Sequence, residues 1–170
     1  RDIETLNIYR ERSEAGYKEA DVMESIYTKG RDNARTPMQW NHGKEAGFTA
    51  GTPWIKVNPN YPEINAEAAM ADENSIFHLY QKLIGLRKTH GVFVDGKYRL
   101  LMPEDPDVFA YTRTLEDTIL LVICNFYDKT VPLQLPKELD REKKQLISSY
   151  IDEGLANVLR PYEARMYLIG

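Results

Sequence analysis

The stretch Thr118-Ile119-Leu120-Leu121-Val122-Ile123-Cys124-Asn125-Phe126 decides how the second half of the chain is read. Positions 119–124 are apolar without a break, far short of the ~20 residues needed to cross a bilayer. The run is also too continuous for a strand with one wet face, so it reads as a central strand covered on both sides. Outward from it the period stays at two. Residues 98–102, 108–114, 130–135, 144–150 and 163–169 read as further strands, with a short one near Val158. Turn signals separate them at Pro103-Glu104-Asp105-Pro106, Glu116-Asp117, Tyr127-Asp128-Lys129 and Pro136-Lys137. About seven short strands with no room for crossover helices are mainly antiparallel, which predicts a small all-β sandwich or Greek-key domain.

Upstream the period changes. Residues 74–88 carry Ile76, Phe77, Tyr80, Leu83, Ile84 and Arg87 at helical spacing, with Asp72 or Asn74 as N-cap and Gly91 to close the helix. Lys82, Arg87, Lys88 and His90 gather toward its end, where the helix dipole favours cations. Residues 3–12 are helix-compatible and stop near Gly16. Residues 19–28 place Val22, Met23 and Ile26 on one face and stop at Gly30, read as a left-handed C-cap. Between these helices, residues 31–65 form a long irregular segment containing Pro37, Pro53, Pro59 and Pro62. Trp40, Phe48, Trp54 and Tyr61 predict that it is ordered and anchored by aromatic burial. Ordered loops of this length are usually functional.

Composition narrows the classes without choosing among them. The chain has 170 residues, 42% hydrophobic and 28% charged, with a net charge of −4. Collagen-like, low-complexity and disordered readings are excluded. No basic stripe offers phosphate contacts, so nucleic acid is not an expected partner, and no membrane span is expected. The single cysteine, Cys124, lies in the apolar run and reads as a small core residue, consistent with a cytoplasmic protein. His42, His78 and His90 lack metal-ligand spacing and read as surface or capping residues. No metal or cofactor motif is present, and none is expected. The chain opens on Arg1 without an initiator Met, which suggests a piece of something larger.

The densest polar cluster follows Gly30. Taken alone, Arg31-Asp32-Asn33-Ala34-Arg35 is either a solvated turn or a rigid site built on arginine–carboxylate pairs. The longer segment Lys29-Gly30-Arg31-Asp32-Asn33-Ala34-Arg35-Thr36-Pro37-Met38-Gln39-Trp40 resembles the signature loop of bacterial α-glucosidases of glycoside hydrolase family 13. The likeness continues through Ala46-Gly47-Phe48, Thr52-Pro53-Trp54, Val57-Asn58-Pro59-Asn60-Tyr61 and Leu159-Arg160-Pro161-Tyr162-Glu163-Ala164.

This resemblance implies a fragment of a (β/α)₈ barrel, its last loop and helix in residues 1–90, followed by the C-terminal β-domain in 91–170. It implies retaining hydrolysis by two carboxylates ~5–5.5 Å apart, and no residue here matches the family's nucleophile or acid/base. By resemblance, Arg31 is the arginine that pairs with a barrel Asp and holds the terminal glucose in the −1 subsite. Glu4 is the acidic residue near the +1 subsite, while Asp32 and Arg35 brace the loop. The implied substrate is an isomaltose-type oligosaccharide cleaved at terminal α-1,6-linked glucose, with trehalose 6-phosphate or dextran hydrolysis as alternatives. Trp40 and Trp54 are expected to anchor the loop rather than stack on sugar. Tyr98, Tyr111, Tyr150, Tyr162 and Tyr167 are expected as core or cross-strand residues. The non-enzymatic alternative is a β-domain that binds carbohydrate or only stabilises. A fragment separated from its barrel is expected to self-associate or to leave residues 1–65 mobile.

Overall fold

In the computed structural model, which describes residues 1–152 and 157–170, the strands are β1 (Lys97–Leu101), β2 (Val108–Leu115), β3 (Thr118–Asn125), β4 (Val131–Pro132), β5 (Lys144–Ser148), β6 (Val158–Leu159) and β7 (Ala164–Ile169). Five of them form one antiparallel sheet in the order β1-β2-β3-β7-β5, and β4 pairs with β6 in a second, two-stranded sheet. As expected, β3 is central. Its alternate side chains divide between two cores: Leu121 and Ile123 pack with Val108, Ala110, Val131, Leu159 and Ile169. Leu120 and Val122 face the other way, against Val92, Phe93, Met166 and Leu168. Each such fully buried aliphatic side chain contributes ~1.5–3 kcal/mol of transfer free energy. The first face is closed by the β4–β6 sheet with Leu133 and Leu139, the second by a short helix at Val92–Asp95.

Several boundaries differ from the sequence reading, each for a local reason. The strand expected over 130–135 pairs only at Val131–Pro132, because Pro132 and Pro136 have no N–H to extend a ladder. Leu133 adds one further bond, its N–H donating to the Asn157 carbonyl at 2.8 Å. Gly91 does not close the preceding helix; in right-handed conformation it starts the Val92–Asp95 turn instead. The strand expected over 144–150 ends at Ser148 and carries a bulge between Gln145 and Ile147.

Packing divides the chain into two units, Arg1–Gln81 and Lys82–Gly170. The first holds α1 (Ile3–Glu14), α2 (Glu19–Lys29), α3 (Ala66–Ala71) and the beginning of α4 (Ile76–Thr89). Periodicity does not mark α3, whose N-cap is the buried Asn65, its side-chain oxygen accepting the Ala68 N–H at 2.9 Å. Neither Asp72 nor Asn74 adjoins α4; Ser75 does, and Asp72 instead accepts the Asn74 N–H in the turn before it. In the long loop, Trp40 and Trp54 remain 52% and 53% exposed within this chain. Aromatic burial therefore does not anchor the loop here. Its fixed points are Ala46, Ile55 and Val57, all buried, and a clasp in which Gln39 donates to the Asn60 side chain at 3.0 Å and to the Ile64 carbonyl. Glu45, Ala46 and Gly47 all have φ between 52° and 67°, a strained run for non-glycine residues. It is held where the Ala46 carbonyl accepts the N–H groups of Trp40 and Asn41.

A buried ionic cluster lies inside the second unit. The Glu163 side chain is fully buried and accepts from Arg160, at Nη2 (2.8 Å), Nε (3.1 Å) and the backbone N–H (2.7 Å), and from Arg165 Nε at 2.8 Å. Burial would raise its carboxyl, but these donors outweigh that and hold it down at about 2. Arg160 in turn stacks over Tyr150 at 3.7 Å and pairs with Asp152. Replacing Glu163 by Ala would remove the buried carboxylate that Arg160 and Arg165 share. The expected loss of stability is ~3–5 kcal/mol, read as a fall in the denaturant midpoint; a change under ~1 kcal/mol would show that the cluster is not coupled to folding.

Candidate functional site

The site forms where α2 ends against α1. Gly30 terminates α2 in extended conformation (φ −61°, ψ 132°), not the left-handed one expected of a C-cap glycine. Glycine is needed for a different reason: a Cβ there would meet the Ile26 carbonyl oxygen at 2.7 Å, with Thr5 Oγ1 close behind. The next residue, Arg31, begins a 3₁₀ turn over Arg31–Ala34 and reaches back to the start of α1.

There it meets two carboxylates. Arg31 donates from Nε to Asp2 Oδ2 at 2.8 Å and from Nη2 to Asp2 Oδ1 at 2.5 Å, while Glu4 Oε2 lies 3.0 Å from the same Nη2. The two residues singled out from the sequence, Arg31 and Glu4, are thus brought into direct contact. Asp2 was not singled out. Its one sequence signal is an acidic residue immediately before a helical run, the pattern of an N-cap. It does serve as the N-cap of α1, accepting the Glu4 N–H at 3.4 Å, but its main partner is the guanidinium. Asp32 Oδ2 accepts the Asp2 N–H at 3.0 Å. The Arg35 N–H returns to the Asp32 carbonyl at 3.1 Å.

Exposure separates the three roles. The Asp2 side chain is 5% exposed, Arg31 50% and Glu4 61%. The hydrogen bonds from Arg31 hold the Asp2 carboxyl down at about 2 against the opposing effect of its burial. Asp2 is therefore a fixed anion behind the arginine. Arg31 and Glu4 present a donor and an acceptor to a cleft of about 310 Å³, whose walls include Thr5, Ile8, Ser25, Ile26 and Lys29. A planar donor set beside a carboxylate suits recognition of neighbouring hydroxyls on a sugar ring. Asp2 and Glu163 are both held ionised, the wrong state for a general acid.

The remaining sequence candidates behave as structural groups. Cys124 packs against the second β core, and burial pushes its thiol up. His42 lies 3.3 Å from Glu67 on the surface, and His78 and His90 contact the carbonyls of Met70 and Leu86. Among the described residues, no three His, Cys, Asp or Glu side chains are grouped to hold a metal ion, and no helix is long and apolar enough to cross a membrane.

A loop that presents an arginine clamped by a buried aspartate, followed by a small antiparallel β-domain, is matched by two family models. The alpha amylase catalytic domain matches residues 3–96 and the alpha-amylase SusG C-terminal domain residues 108–165. The chain belongs to the alpha-amylase family. Within it, the sequence is 55% identical to the oligo-1,6-glucosidase of Parageobacillus thermoglucosidasius, over 99% of this chain and 31% of that protein. It is 52% identical to the oligo-1,6-glucosidase of Halalkalibacterium halodurans, over 98% and 31%. The crystal structure of Bacillus licheniformis trehalose-6-phosphate hydrolase is similar with a TM-score of 0.88 at 46% identity, covering 99% of this chain and 31% of that one. The chain thus spans about 31% of the length of the curated relatives it matches.

The Asp2–Arg31 pair has a pH signature. The Asp2 carboxyl is lowered from its ordinary 3.8 to about 2 in the fold. Its contribution to stability is therefore complete above pH ~4 and lost as pH falls through about 2. A carbon-13 titration of the Asp2 carboxyl should give a midpoint near 2, moving back toward 3.8 in Arg31→Ala. A midpoint near 3.8 in the unsubstituted protein would remove the clamp.

Proposed function

We propose that this chain is the carboxyl-terminal part of an exo-acting, retaining α-glucosidase that releases terminal α-1,6-linked glucose from short oligosaccharides. The observation that carries this is the Asp2–Arg31–Glu4 constellation, located in the segment that resembles the signature loop of such enzymes. The guanidinium holds the hydroxyls of the terminal glucose in the −1 subsite and closes the pocket behind them, so the enzyme acts from the non-reducing end. Glu4 borders the +1 subsite and accepts from the leaving sugar. Residues 1–90 supply the last loop and helix of the barrel, and residues 91–170 a β-domain that stabilises it without binding carbohydrate. The preference for α-1,6 linkages is supported by 55% and 52% identity to two oligo-1,6-glucosidases. Hydrolysis of trehalose 6-phosphate is the second reading, favoured by the similarity to the hydrolase of that substrate. A cytoplasmic setting fits the unpaired, half-buried Cys124.

In the full-length enzyme, Arg31→Ala is expected to lower kcat/KM on isomaltose by at least ~100-fold, since a misplaced substrate alone costs that much. Near-normal kinetics would remove Arg31 from the site. The ratio of turnover on isomaltose to that on trehalose 6-phosphate decides between the two substrates. The 170-residue chain by itself is expected to hydrolyse neither, and measurable turnover by it would overturn the division of labour proposed.

The isolated chain is also expected to self-associate. α4 contains no buried residue, and Ile76, Phe77, Leu79, Tyr80 and Ile84 are all exposed along it. Light scattering at increasing concentration should report masses above the 19.7 kDa monomer. A monomer at all concentrations would contradict this.

A further inference from the structure

We propose that Asp2 is the positioning residue for Arg31, fixing the plane of its guanidinium so that sugar hydroxyls meet a preset donor. The proposal rests on the reading of Arg31 as a substrate-binding residue. Three observations carry it. The Asp2 carboxylate takes both Nε and Nη2 of Arg31, a two-point contact that fixes rotation about the terminal bonds of a long, otherwise flexible side chain. Asp2 is itself immobilised, since its N–H donates to Asp32, its carboxylate caps α1 and the Thr5 hydroxyl reaches it at 3.4 Å. The backbone leading to Arg31 is fixed as well, the Gly30 N–H donating to the Ile26 carbonyl at 2.8 Å and the Gly30 carbonyl accepting from Asn33 at 3.1 Å.

Glu4 shows what Asp2 prevents. Arg31 Nη2 is shared, with Asp2 Oδ1 at 2.5 Å and Glu4 Oε2 at 3.0 Å. Asp2 is 5% exposed and Glu4 61%, so the two carboxylates compete for the arginine from opposite sides of the solvent boundary. With Asp2 neutral, Glu4 is the anion of this chain left in contact with the guanidinium, at 3.0 Å, and draws it. It then swings toward the +1 side, leaving the −1 hydroxyls without their donor and occupying the acceptor needed by the leaving sugar. The buried aspartate thus keeps two adjacent subsites separate.

The test is a double-mutant cycle in the full-length enzyme, with isomaltose and a nitrophenyl α-glucoside as probes. Asp2→Asn is expected to lower kcat/KM by about 100-fold, more through kcat than KM. In an Arg31→Ala background it should add no more than about two- to three-fold. Asp2→Glu, which keeps the charge one methylene further out, should recover about ten-fold over Asp2→Asn. It also replaces Asp2→Asn in the cycle if that variant does not fold. A purely structural role gives the opposite pattern, a lowered Tm with independent losses that multiply in the double mutant, and that result overturns the proposal. So does an Asp2→Asn enzyme with unchanged kinetics. An Arg31→Ala enzyme of near-normal activity instead overturns the substrate-binding reading of Arg31 on which the proposal rests.

Discussion

A strand that is apolar on both faces cannot be left half covered, and β3 imposes this condition on the β-domain. Leu121 and Ile123 require one layer, Leu120 and Val122 another. The first is met by the small β4–β6 sheet, the second by the Val92–Asp95 turn and the partly buried side chains around it. The strand order follows from the same requirement, because only a strand flanked on both edges has its backbone groups satisfied while its side chains are dry.

The two units each contain an arginine held by a carboxylate, and exposure tells them apart. Around Glu163 the acid and Arg165 are both shielded from water, and Arg165 Nη2 also donates to the Val158 carbonyl, so the cluster ties β7 to the β6 region. Around Asp2 only the acid is hidden. Its partner is half exposed and borders a cleft. A charge pair buried on both sides specifies a fold; a pair buried on one side specifies where the other half will point.

Much of this was legible in the residues. The strand positions, the antiparallel arrangement and the helices at 3–12, 19–28 and 74–88 followed from periodicity and turn chemistry, because each depends on near neighbours. What was missed depends on contacts between distant positions. Asp2 carries no local mark beyond that of an N-cap, and its importance comes from Arg31, at the far end of α2. Gly30 differs in kind: it ends α2 in extended conformation, and what excludes a Cβ there is the nearby Ile26 carbonyl. Pro132 shortened a strand that alternation alone would have extended. Trp40 and Trp54 are half exposed among the residues described, on a loop whose anchoring was expected against a barrel. Arg31 and Glu4 were found through resemblance, and their direct contact could not be read from either the motif or the spacing.

The bulge in β5 has a consequence of another kind. A five-stranded open sheet has two rims, and any rim with a regular ladder of unpaired amides can recruit a foreign strand. Here β5 forms one rim, and its register slips between Gln145 and Ile147. The other rim, β1, places Lys97 and Arg99 among its five residues. An incoming strand would find an interrupted ladder on one side and positive charge on the other. Both features oppose edge-to-edge growth of a sheet whose centre is as apolar as β3.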